Sequence, residues 1–194
     1  MTETTRLPRT TLTGPLGRLL AVMMRRKIGG VPAGAEVMWH YPKVFLDMAR
    51  FGQRTEKWDR LDHSLATLAA MAAAAEVGCG FCLDLHYFMA KDRGLDEAKA
   101  RAVPVWRESA AFTPTERRVL EYAAAMCRTP LTVTDELVTA LREDLGDAAV
   151  VELTARVGFM NASARGNVAL GIPSEHYAEA CGMPPLPTAV GSVP

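Results

Sequence analysis

The stretch LDHSLATLAAMAAAAEVGCGFCLDLH, Leu61 to His86, decides how this 194-residue chain is read. From His63 to Ala75 it holds no Asp, Glu, Lys or Arg, and residues 72–75 are four alanines in a row. A helix with no charged face is a central, buried one, and its alanines let neighbouring helices approach closely. Gly78 and Gly80 interrupt it. Helical character then resumes to about Asp92, with Gly94 as the stop.

Working outward, helical signals continue on both sides. On the N-terminal side they predict an amphipathic helix over about Leu12–Lys27, a break at Gly29-Gly30 and Pro32, a short helix over Ala35–Tyr41, and another from Pro42 to about Gly52. On the C-terminal side, Leu95–Ala102 reads as a short helix. Thr113-Pro114-Thr115-Glu116 is a capping box opening a helix to about Cys127. Thr134-Asp135-Glu136 opens the next, closed by Gly146, and Asp147 caps a third reaching about Ala169. Gly182–Pro194, with four prolines, reads as an extended tail. No strand alternation is found, so the expected class is all-α. The expected organisation is a basic arm over residues 1–30, a helical domain over 31–178 and a Pro-rich tail over 179–194. A faint internal echo sets residues 62–68 beside 147–153, which aligns Thr67 with Glu152.

Composition narrows the function classes. Apolar residues make up 49% and charged residues 23%, a globular balance. The 22 basic and 22 acidic residues cancel. Without a basic excess, no nucleic-acid partner is expected. No apolar run approaches the ~20 residues of a membrane span, and no signal peptide stands out, so a cytoplasmic chain is expected. The zero total hides an asymmetry: six basic residues against Glu3 make residues 1–27 +5 and the remainder −5.

The chemistry concentrates in Cys79-x-x-Cys82-x-x-x-His86. On a helix the cysteines stand one turn apart, and the imidazole four residues on lies over the Cys82 turn. Histidine can take a thiol proton, and a helix start after Gly78 favours a thiolate. The expected reaction has Cys82, activated by His86, attack an electrophile before Cys79 closes the disulfide. The N-terminal thiol of such a motif is the alternative first attacker. Glu76, three residues before Cys79, is the candidate carboxylate for proton transfer, or else an exposed helix end. A zinc site borrowing Cys127, Cys181, His40 or His63, and simple burial of two small thiols, are the competing readings; no metal or cofactor is expected. Cys127 and Cys181 read as structural. His40 is expected to be structural or to line a pocket mouth, and Asp84 to face solvent or a subunit contact.

These residues, with Asn161-x-x-x-Arg165-x-Asn167-x-Ala169-Leu170-Gly171-Ile172 and the early His40-Tyr41-Pro42, resemble the alkyl hydroperoxidase D and carboxymuconolactone decarboxylase family over about residues 30–178. The resemblance implies a helical bundle in a homo-oligomer (dimer, trimer or hexamer). It also implies a peroxidase using Cys79, Cys82 and His86 on a small peroxide substrate, re-reduced by an external dithiol or a thioredoxin-like or lipoyl reductant. The family's decarboxylase branch acts without cofactor and generally lacks the cysteine pair, which makes an acid–base lyase the alternative. A non-catalytic redox-sensing oligomer is another. Two positions depart from the redox pattern: Thr67 stands where the family often has a glutamate, and Phe81 where a second histidine can occur.

Overall fold

The computed structural model describes residues 5–180 and 182–186, so Cys181 and tail residues 187–194 lie outside it. Among the described residues there are α-helices, two short 3-10 turns and no strand. The helices are α1 (Gly14–Ile28), α2 (Ala33–Met38), α3 (Pro42–Thr55), α4 (His63–Val77), α5 (Gly80–Met89), α6 (Glu97–Ala102), α7 (Pro114–Cys127), α8 (Asp135–Leu145), α9 (Asp147–Leu170) and α10 (Tyr177–Ala180). The all-α expectation is met.

The charge-poor stretch is the central helix. Asp62 caps α4, its carboxylate accepting the Ser64 and Leu65 N–H groups, and Gly78 ends it at φ 77°. Leu68, Ala69, Met71, Ala73 and Ala74 are fully buried where α4 packs against α7, α9 and α5. Ala73 and Ala74 of α4 and Ala123 and Ala125 of α7 are buried, and such small side chains permit close approach of the packed helices.

Sequence boundaries hold to within a few residues, with informative differences. The Thr113 capping box forms as read. Gly146, not Asp147, occupies the cap position of α9, and the Asp147 carboxylate pairs with Arg142 at 2.6 Å instead. Helix α10 was not expected. It exists because the buried Asp84 carboxylate accepts the N–H groups of Tyr177 at 2.8 Å and Ala178 at 3.2 Å. That corrects the expectation that Asp84 faces solvent or a neighbouring subunit. Beyond α10, residues 183–186 run without regular structure, fastened by the Tyr87 hydroxyl to the Pro184 carbonyl and by Arg101 to the Pro185 carbonyl.

Toward the N-terminus, Leu12, Ala21 and Trp39 form a small separate core. Leu16, Leu19, Val22 and Met23 of α1, with Val44 and Phe51 of α3, remain exposed. His40 is exposed too, its ring nitrogen bonded to the Pro8 carbonyl at 2.8 Å, a structural tie rather than a pocket residue. No helix among the described residues is long and apolar enough to cross a membrane.

Candidate active site

The Gly78 turn ends α4 and swings the chain so that Cys79 becomes the N-cap of α5. A cap residue offers its side chain to the first free N–H groups of the helix. Here that side chain is sulfur: the Cys82 N–H donates to Cys79 Sγ at 3.3 Å. The two sulfurs stand 2.8 Å apart, and both residues are buried, Cys79 2% and Cys82 4% exposed. A short shift would close the disulfide.

This geometry separates the thiols electrically. Cys79 is held below the ordinary thiol value, first by the Cys82 thiol hydrogen and then by the Cys82 N–H and the Asn167 amide, against the opposing effect of burial. Cys82 is pushed up, because it cannot ionise beside a charged Cys79 and is itself buried. Of the two thiols, the geometry favours ionisation of Cys79 rather than of Cys82. His86 does not meet a thiol. Its Nδ1–H donates to the Cys82 carbonyl at 2.9 Å, so the i+4 spacing brings the ring over the right turn but onto the backbone. Burial, reinforced by the positive charge of Arg93, pushes the imidazole down to about 4. A ring neutral at pH 7 can act as a base, not as a cation steadying a thiolate.

Glu76 is not brought to this constellation. Its carboxylate pairs with Arg128 at 2.9 Å, and no hydrogen bond joins it to His86. It marks a helix end tied to the end of α7. Thr67 lines a cavity that His86 also lines, but its hydroxyl donates to the His63 carbonyl at 2.8 Å. That cavity, of about 250 Å³, has His63, Glu56, Arg93 and Arg156 among its polar lining residues besides Thr67 and His86. Glu152, the internal-echo counterpart of Thr67, accepts the Arg60 and Leu61 N–H groups and pairs with Arg156 at 2.7 Å. It orders the turn before α4; the carboxylate that lines the His86 cavity is Glu56, which pairs with Arg93 at 2.9 Å.

A second cavity, of about 370 Å³, lies on the other side of α5 between α2, α3 and α9. Its walls are apolar, and Asn167 is its principal polar residue together with Ser163. Asn161 and Arg165 bond the C-terminal end of α7, through the Met126 and Cys127 carbonyls. Asn167 does not: its Nδ2–H donates to Cys82 Sγ at 3.3 Å. Sequence reasoning missed that role, although the six-residue offset from Asn161 already turns Asn167 to another face of α9. Cys127 is buried, and burial beside Glu76 pushes its thiol up to about 11, the state of an inert core cysteine. Among the described residues, no three His, Cys, Asp or Glu side chains converge as a metal-ligand set.

Comparison with solved structures places this bundle in a class. It superposes with TM-score 0.78 and 22% identity on the alkylhydroperoxidase AhpD core of a peroxidase-related protein from Ralstonia eutropha JMP134, covering 89% of this chain and 94% of that one. It also superposes with TM-score 0.77 and 18% identity on the debrominase Bmp8 in complex with 2,3,4-tribromopyrrole, over 91% and 97%. The class is the AhpD-like all-helical fold. Residues 42–125 match the Carboxymuconolactone decarboxylase family, and the chain is 35% identical to the uncharacterized protein YnjA of Escherichia coli K12 over 80% of its length and 86% of that protein's. The chain belongs to the carboxymuconolactone decarboxylase family.

Proposed function

We propose that the protein is a thiol-dependent peroxidase in which Cys79 is the attacking thiolate and Cys82 the resolving thiol. The observation that carries this reading is the capping geometry: the Cys79 sulfur receives the Cys82 N–H at 3.3 Å, and the Cys82 sulfur stands 2.8 Å from it. Cys79 attacks the terminal oxygen of a hydroperoxide, the O–O bond breaks, and Cys79 becomes a sulfenic acid. The departing alkoxide takes the Cys82 proton and leaves as an alcohol. The Cys82 thiolate then attacks the sulfenic sulfur, expelling hydroxide that becomes water. An external dithiol, small or carried on a thioredoxin-like or lipoyl protein, reduces the disulfide by exchange. A cytoplasmic setting, where thiols stay reduced, suits this cycle.

Peroxide consumption with dithiothreitol tests it. Cys79→Ser and Cys82→Ser are expected to lose at least about 100-fold in rate, and equal rates in all three proteins would sink the proposal. Only Cys79→Ser should also abolish trapping of a sulfenic acid.

The polar cavity favours a second reading. A neutral imidazole sharing a cavity with Thr67 and with the Glu56 carboxylate, which Arg93 pairs at 2.9 Å, suits cofactor-free acid–base chemistry. Turnover of a lactone acid that survives both Cys→Ser changes but not His86→Ala would establish it in place of the first. Oxidation that changes oligomer size with no turnover of either kind would point instead to a redox sensor.

A further inference from the structure

The charge asymmetry read in the sequence has a place in the fold. Helix α1 carries Arg18, Arg25, Arg26 and Lys27, and residues 4–35 hold no Asp or Glu. All four cations are exposed, and among the described residues no carboxylate pairs with any of them. The inner side of α1, Gly17 and Ala21 with the half-buried Leu20 and Met24, is seated on Leu12 and Trp39. Leu16, Leu19, Val22 and Met23 stand on the outer side, between 43% and 57% exposed.

At 3.6 residues per turn these four side chains share one stripe, about 120° wide. Arg18 and Arg25 run along one border, Lys27 lies on the other, and Arg26 closes the C-terminal end. The outer face of α1 thus offers aliphatic and thioether groups framed by cations, with no aromatic ring, amide or hydroxyl. Protein interfaces draw their energy from aromatic anchors and directional hydrogen bonds, which this face lacks. A second copy docked face to face would set the cations against their own duplicates. An anionic lipid surface asks for no directional partner. Aliphatic side chains enter the acyl boundary, and long cationic stems reach back to the phosphates.

We propose that α1 is a docking helix that lies flat on an anionic lipid surface, its Leu16–Met23 stripe in the headgroup boundary and Arg18, Arg25, Arg26 and Lys27 on the phosphates. The helix rests on the membrane and does not cross it. The remainder of the chain, net negative, is repelled by the same surface, so the molecule is oriented with α1 toward it. The interaction is independent of the chemistry performed at the thiols.

Co-sedimentation of the full chain with vesicles tests this. Wild type should pellet with vesicles of equal parts phosphatidylcholine and phosphatidylglycerol, stay in solution with phosphatidylcholine alone, and be released as salt rises. Arg25→Gln/Arg26→Gln should weaken partition by about 30-fold, near five-fold for each lost cation. Leu19→Gln/Met23→Gln should weaken it by at least about ten-fold through lost insertion. Both pairs are exposed, and they remove different chemistry, so a folding defect in one leaves the other as the test. Leu131→Gln, an exposed apolar position outside α1, should change nothing. No partition, equal partition into the two vesicles, or α1 variants that bind like wild type would overturn the proposal. Sedimentation velocity without lipid supplies the remaining arm. If Leu19→Gln/Met23→Gln breaks a wild-type assembly into single chains, a second copy covers this face and the proposal falls.

Discussion

At the residue scale, the ionisation of His86 is coupled to folding. The folded chain holds it at about 4, against an ordinary value near 6.5, chiefly through burial. The folded state therefore binds fewer protons than the unfolded chain between those values. The stabilisation is complete above about pH 6.5 and is lost as pH falls through 4, amounting to at most about 3 kcal/mol. Urea midpoints should fall from pH 7.5 to pH 5 in wild type and fall less in His86→Gln, which cannot charge. The Cys79, Cys82 and His86 spacing was legible because each is set by one turn of helix. Which atom the imidazole meets was not. A side chain at i+4 reaches both the Sγ and the carbonyl of residue i, and only its rotamer chooses. Glu76 shows the same limit in another form: its separation from Cys79 in sequence is short, but Arg128 arrives from α7 to claim it.

At the element scale, capping was the most readable feature and long-range anchoring the least. Asp62, Thr113 and Thr134 cap the helices they precede, a local relation written in adjacent residues. Helix α10 is only four residues long, and its N-terminus is satisfied by Asp84, 93 residues away. No local pattern can announce such a helix. Asp84→Ala should cost about 2–3 kcal/mol, for two hydrogen bonds to a carboxylate. Limited proteolysis should then cut within residues 172–186 well before the remainder of the chain. The alanine surface of α4 makes a separate prediction. Ala73→Leu would force a branched side chain into the fully buried surface of α4 and should cost about 1–3 kcal/mol by overpacking, read as a lower urea midpoint.

At the scale of the whole molecule, the buried Glu152–Arg156 pair fastens the turn before α4 to α9, with Arg156 also donating to the Trp58 carbonyl and lying over the Trp58 ring. Glu152→Ala strands a buried guanidinium and should cost about 3–5 kcal/mol in chemical denaturation. The apolar cavity was invisible in the sequence because α1, α2, α3, α5 and α9 each contribute to it and no two adjacent segments reveal it. The burial of the thiols, 2% and 4% exposed, has one more consequence. A reagent from solution meets only the fraction of molecules that has opened locally, much as a solvent proton meets a protected amide. Its rate then depends on how long the opening lasts as well as on its intrinsic reactivity. As reagent concentration rises, the rate should level off at the opening rate. Burial thereby makes the opening of the fold, rather than the strength of the reagent, the step that limits attack on the pair.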